Sequence, residues 1–209
     1  MGSRRLSSQA FAGRRSSSGD RNAALAAGAA YLGLGWCSRR SFGPAERGLF
    51  AEVNHSSERI GLLRVPQQLG TPWILLLLAG WGFVTHRPQL AVTAAFALPL
   101  EKGMEVGVKK LLARPRPAQV DQGSVQHDDA PVDGPSYPSG HAAIAFAAVT
   151  LAVPYISGTL AAVGFLTATT TAVVRVRQGA HFPGDAVGGA LLGIAVASGL
   201  RWMFGRPGA

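Results

Sequence analysis

Between Ala142 and Val153 the only polar side chain is Thr150, and between Ala186 and Leu200 the only one is Ser198. A soluble helical bundle keeps polar residues at helical spacing along the outer face of each helix. These two stretches have none to present, so insertion in a bilayer is the environment they fit. Four further apolar segments run from Ala23 to Cys37, Thr71 to Val84, Gln89 to Val108 and Ser157 to Val174. A bilayer span takes about 20 residues, and several of the six reach that length only with their glycines, threonines and polar flanks included. The expected fold is all-α, a bundle of six transmembrane helices, with Trp73 and Trp81 as interface anchors.

Composition supports one membrane-embedded unit. The 209 residues are 47% hydrophobic and 15% charged, against about 25% charged in ordinary soluble domains. The formal net charge is +9. Its cations fall between the apolar segments and in the N-terminal arm, and no nucleic-acid motif accompanies them. The expected partners are therefore anionic headgroups and the bilayer, not nucleic acid. The single cysteine, Cys37, excludes an intramolecular disulfide and a cysteine metal cluster, and is expected as a small buried residue at a helix end.

Residues 1–21 are rich in Ser, Gly and Arg (Arg4, Arg5, Arg14, Arg15, Arg21) and read as a disordered basic arm. They make no convincing signal peptide, because the apolar stretch starts too far in. The membrane domain is expected over 22–205. Between Ser38 and Gly70, Phe50, Val53, Ile60 and Leu63 alternate with Glu46, Glu52, Glu58, Arg59 and Arg64, which predicts short amphipathic helices at the interface. The polar loop from Ala118 to Tyr137 carries Asp121, Asp128, Asp129 and Asp133, and is long enough to read as a functional lid. His55, His86 and His127 read as surface residues.

Three polar clusters sit at the ends of apolar segments. Lys109 and Arg116 follow the third segment, and the run from Arg114 to Pro117 cannot continue a helix, so the chain turns there. A guanidinium offers a planar fork to phosphate oxygens and a lysine a point charge. Pro138-Ser139-Gly140-His141 precedes the fourth segment. Ser139 is placed to cap that helix, whose first amides suit an anion, and His141 falls in its first turn. Arg175, His181 and Asp185 link the last two segments. His181 and Asp185 are four apart, and a carboxylate on one ring N–H would fix the tautomer and leave the other nitrogen nucleophilic. Three cations, two histidines, a hydroxyl and a carboxylate suit a phosphate ester. On the third segment Glu101, Glu105 and Lys109 form a row, with Glu105 expected to pair with Lys109 and hold it in place.

Lys-x6-Arg-Pro, Pro-Ser-Gly-His and Arg-x5-His-x3-Asp, in this order at segment ends, resemble the motif set of the type 2 phosphatidic acid phosphatase superfamily, over roughly residues 70 to 205. One departure is Val174, where that family usually has serine; it bears only on fine tuning. The resemblance implies that His181 attacks phosphorus and forms a phosphohistidine, that Asp185 orients His181, and that His141 protonates the leaving oxygen. It implies that Lys109, Arg116 and Arg175, with the Ser139 hydroxyl and the Gly140 amide, hold the phosphoryl oxygens. No cofactor and no metal are expected, the cations supplying the charge stabilisation a magnesium ion gives elsewhere.

The expected activity is hydrolysis of a lipid phosphate or diphosphate, because the clusters lie at the membrane boundary. Candidates are polyprenyl diphosphate, phosphatidate, phosphatidylglycerophosphate and polyprenyl-phosphoryl sugar phosphate. A phosphotransferase, with an alcohol replacing water, is the nearer alternative. A non-catalytic lipid-phosphate binder or transporter is the other, and an oriented nucleophile argues against it. Six spans place both termini on one side and all three clusters on the other. The family's bacterial members imply a plasma-membrane, multi-pass protein with the site outward, although Lys and Arg counts are nearly balanced between the two sides. A homo-oligomer stays open.

Overall fold

Prolines set the starts of the helices. Pro44, Pro72, Pro88, Pro117 and Pro183 each occupy the first turn of a helix, where the missing N–H costs no hydrogen bond. The computed structural model describes residues 3–39, 43–56, 64–127 and 130–204, and the side chains of all of these except 3–17 and 64. Its helices are α1 (Ser3–Ser38), α2 (Pro44–Asn54), α3 (Arg64–Gln67), α4 (Pro72–Val84), α5 (Pro88–Leu112), α6 (Pro117–Val120), α7 (Gly140–Ala152), α8 (Gly158–Arg177) and α9 (Pro183–Phe204), with 3-10 turns at Gln68–Gly70 and Val153–Tyr155. Among the described residues there is no strand, so the fold is all-α. Each of the six apolar segments lies on a helix, respectively α1, α4, α5, α7, α8 and α9.

The centre of the bundle is α9, which packs against α1, α7, α5 and α8. Its contact with α7 is close because two glycines face that helix. A Cβ at Gly189 would collide with the Ser139 carbonyl oxygen, and one at Gly193 with the Ala143 carbonyl oxygen. Glycine removes the obstruction and lets the two backbones meet, a device of membrane helix pairs. α7 is buried along ten of its thirteen residues. Tyr31, Leu75, Leu90, Ile144, Leu151 and Leu192 pack in the main core. Asp20 of α1 pairs with Arg201 of α9 at 3.0 Å, so the two helices run antiparallel. One end of the bundle gathers the C-termini of α5 and α8 and the N-termini of α7 and α9.

Three expectations are revised or only partly met. α1 begins at Ser3, within the stretch expected as a basic arm. Cys37 does sit at a helix end, but exposed, because that turn of α1 points Gly35 and Ser38 inward. Of the six expected spans, α8 and α9 have both the length and the hydropathy to cross a membrane. α4 and α7 are apolar but thirteen residues each, about 20 Å at 1.5 Å per residue. The predicted interfacial helices include α2, which does not merely lie on the surface: Phe50 and Asn54 are buried, and it packs against α8 and α9. Ile60, Leu63, Glu58 and Arg59 lie outside the described residues.

Candidate active site

The first cluster is shaped by a helix stop. α5 ends at Ala113 in the left-handed conformation (φ 46°), and the two prolines beyond keep the chain extended through Arg116. Arg116 is buried and donates from Nε to the Asp133 carbonyl at 2.8 Å and from Nη1 to the Ala180 carbonyl at 2.6 Å. One turn back, Lys109 donates to Glu105 Oε1 at 2.6 Å, the pairing expected from the row on α5. Lys102 takes the other Glu105 oxygen at 2.5 Å, and Glu101 is fully buried with Lys102 at 3.8 Å. The Glu105 carboxylate also meets the start of α7: a Cβ at Gly140 would lie 2.7 Å from both its oxygens. Gly140 therefore allows a carboxylate and its two lysines to reach a helix N-terminus, where negative charge is favoured.

The second cluster is stitched to the first and the third by its backbone. Ser136 N–H donates to the Arg114 carbonyl at 2.7 Å, and Ser139 N–H donates to the Asp185 carbonyl at 2.9 Å. Ser139 is the N-cap of α7, yet its hydroxyl does not cap: it makes no bond to the first turn. That corrects the sequence expectation, and the hydroxyl is left buried without a hydrogen-bond partner among the described residues. His141 is half-buried in the first turn, against Gly70, and within electrostatic reach of Arg175 and His181.

The third cluster turns between α8 and α9. Gly179 supplies a positive φ of 76° that returns the chain toward the bundle. Arg175, buried at the end of α8, donates to Gln178 Oε1 at 2.6 Å. His181 precedes the first residue of α9, and its Nδ1 faces Asp185 Oδ2 at 3.8 Å. That is longer than a hydrogen bond, and each carboxylate oxygen accepts from another donor. Oδ2 accepts from Phe182 N–H at 2.8 Å and Oδ1 from Arg114 Nη1 at 2.5 Å. Burial pushes the His181 imidazole down to about 4, against the opposing pull of the Asp185 carboxylate. The ring is therefore neutral at neutral pH, with Nε2 as the nitrogen not turned to Asp185. Arg116 and Arg175 both act on it electrostatically.

The eight residues singled out in the sequence thus occupy one end of the bundle. Lys109 reaches the α7 N-terminus through Glu105, Ser139 and Asp185 share a backbone bond, and Arg116, Arg175 and His141 flank His181. Two residues outside that set belong to the same array. Arg114, read in the sequence only as part of a turn, is wholly buried between Asp185 and Glu46 of α2. A charged residue at a helix stop beside two prolines was the one available signal. The described part of the loop after α6 is tied down as well. Asn54 donates to the Val125 and Arg177 carbonyls at 2.8 Å each and accepts from Val125 N–H at 2.8 Å. Asp128 and Asp129 lie outside the described residues.

A family model described as the PAP2 superfamily matches residues 89–208. No curated protein matches the chain. Among solved structures, LpxE of Aquifex aeolicus superposes with a TM-score of 0.65 at 26% identity, covering 72% of this chain and 90% of that one. A transmembrane PAP2-type phosphatidylglycerolphosphate phosphatase of Bacillus subtilis superposes with the same TM-score of 0.65 at 19% identity, covering 85% of this chain and 94% of that one.

Proposed function

Because this chain belongs to the PAP2 superfamily, we propose that it is a membrane phosphatase that hydrolyses a lipid phosphate or diphosphate through a phosphohistidine on His181. The observation that carries the reading is a buried, neutral imidazole with a carboxylate behind one nitrogen and two arginines acting on it. A binder needs the cations but not that histidine.

In the first step the Nε2 lone pair attacks phosphorus. The bond from phosphorus to the leaving oxygen breaks, and His141 delivers its proton to that oxygen. Asp185 supports the positive charge that grows on the His181 ring as the N–P bond forms. Lys109, Arg116 and Arg175, the Ser139 hydroxyl and the Gly140 amide receive the equatorial oxygens, where charge accumulates. In the second step neutral His141 takes a proton from water. The water oxygen bonds to phosphorus, the N–P bond returns its electrons to His181, and inorganic phosphate leaves. The buried hydroxyl of Ser139, without a hydrogen-bond partner among the described residues, supports a site built for an incoming acceptor.

The lipid character of the substrate follows from the bundle. Leu77, Phe83, Leu111 and Leu166 project outward, 67%, 78%, 78% and 68% exposed. Large apolar side chains facing out on α4, α5 and α8 alike suit hydrocarbon. The proposed arrangement is six spans, α1, α4, α5, α7, α8 and α9, in the plasma membrane with the site face outward. A phosphate at that face is carried by a lipid whose tails stay in the bilayer. LpxE and the phosphatidylglycerolphosphate phosphatase support the class. Polyprenyl diphosphate, phosphatidate, phosphatidylglycerophosphate and polyprenyl-phosphoryl sugar phosphate form the test panel.

The test is phosphate release from that panel by purified protein in detergent, with EDTA present and no added alcohol. Release from at least one lipid is expected. Turnover only with an added alcohol acceptor supports the phosphotransferase, and binding without turnover supports the carrier.

A further inference from the structure

Arg114 is the largest side chain wholly buried among the described residues. Its Nη1 donates to Asp185 Oδ1 at 2.5 Å and its Nη2 to Glu46 Oε2 at 2.6 Å. The second Glu46 oxygen accepts from Gly184 N–H at 2.9 Å, in the first turn of α9. The guanidinium lies 5.2 Å over the Phe182 ring, which packs at 5.0 Å on Phe50 of α2. One cation is thus shared by two carboxylates, and one of those is the carboxylate facing the His181 ring. Neither Arg114 nor Glu46 has a place in the phosphoryl-transfer scheme above.

We propose that Arg114 and Glu46 are positioning residues for the nucleophile: Arg114 fixes the plane of the Asp185 carboxylate against His181 Nδ1, and Glu46 holds Arg114 and the Gly184 amide in place while sharing the guanidinium charge. The inference rests on the phosphatase reading and makes α2 part of the catalytic scaffold, although it lies far from the motifs in sequence. Asp185 works by accepting from the ring as it becomes positive. A guanidinium wholly devoted to Asp185 would drain that carboxylate of basicity; Glu46 divides the guanidinium between two anions and limits the drain. Glu46 also anchors the turn that carries His181, through Gly184.

Glu46→Gln removes the charge and keeps an acceptor oxygen for only one of the two donors, because its amide nitrogen donates. Its side chain is 18% exposed at the rim, so the substitution leaves no vacant space in the core. The measurement is rapid-quench trapping of the phosphohistidine from a radiolabelled member of the lipid panel that the wild type turns over, with burst amplitude counting competent sites and the rate constant reporting the chemical step. For Glu46→Gln the phosphorylation rate constant per site is expected to fall about tenfold with KM within about twofold, since the phosphate-holding cations are untouched. Its acid limb is expected to move to lower pH, because Asp185 supports the charged ring less. Glu46→Ala, which removes both acceptors, is expected to fall further. Arg114→Lys keeps the charge but has no second arm, and is expected to resemble Glu46→Ala. A purely structural role would lower the burst amplitude and leave rate constant and acid limb unchanged; that result in Glu46→Gln and Glu46→Ala overturns the inference. A wild-type protein inactive on every lipid of the panel overturns the phosphatase reading and this inference with it, whereas an active wild type with unaltered variants overturns this inference alone.

Discussion

Ser139→Ala is expected to make the protein more stable and less active. At a helix N-cap this substitution ordinarily costs about 0.5–2 kcal/mol, because the serine hydroxyl accepts from the first turn. Here that bond is not made, and the hydroxyl is wholly buried without a partner among the described residues. An unpartnered buried hydroxyl costs about 1–3 kcal/mol in lost hydration. Alanine removes that cost and leaves the backbone bonds in place, Ser139 N–H to the Asp185 carbonyl at 2.9 Å and Ala143 N–H to the Ser139 carbonyl at 3.1 Å. The net effect is expected to be a gain of about 1–2 kcal/mol in the free protein. In the proposed mechanism a phosphoryl oxygen is the partner the hydroxyl lacks. Losing one hydrogen bond to a charged acceptor is worth about 1.5–3 kcal/mol, or roughly 10- to 150-fold in the affinity of a phosphoryl mimic. Thermal unfolding in detergent reads the first effect, and the vanadate inhibition constant reads the second. A variant that melts below wild type with unchanged vanadate inhibition would refute the reasoning, since the hydroxyl would then be a cap that faces no phosphate.

Three further outcomes follow from the same geometry. His141→Ala should lose about 10²- to 10⁴-fold on substrates with alkoxide leaving groups and far less on an aryl phosphate, whose leaving group needs no proton; equal losses with phosphorylation limiting would make His141 a phosphate-positioning group. In the proposed first step His181 must be neutral to attack, and its ring is pushed down to about 4. Lowering the pH should therefore remove the nucleophile only near 4, and a pH profile of kcat/KM should carry no His181 limb near 6.5, the value of a solvated imidazole. Gly193→Ala should cost about 1–3 kcal/mol in thermal unfolding, because its Cβ would collide with the Ala143 carbonyl and sit 2.9 Å from Ala147 N. Gly199→Ala on the same helix, where the nearest atom is 3.9 Å away, should instead gain about 0.5–1 kcal/mol from helix propensity.

The segments and the clusters were legible in the sequence for the same reason. Apolar runs and the prolines and glycines that end them are local signals, and the catalytic candidates sit where those runs stop. The Glu105–Lys109 pair was legible because four residues make one helical turn. Arg114 was not, because its partners Asp185 and Glu46 are 71 and 68 residues away, and no periodicity reports a contact at that range. Glu46 was hidden by an amphipathic pattern that suits a bilayer surface and a protein surface equally. Ser139 misled through a rule that usually holds: its position is an N-cap, but its hydroxyl is turned away from the amides it would cap. Cys37 misled through a preference for burial that the inward face of α1 had already given to Gly35 and Ser38.

The central claim is that His181 becomes covalently phosphorylated. Purified protein mixed with radiolabelled lipid phosphate, quenched in alkali within the first turnover and mapped by peptide mass, should carry a base-stable, acid-labile phosphoryl group on His181. It should form at least as fast as phosphate is released, and folded His181→Ala should neither form it nor release phosphate. Label on another residue, or phosphate release by folded His181→Ala at the wild-type rate, would contradict the account.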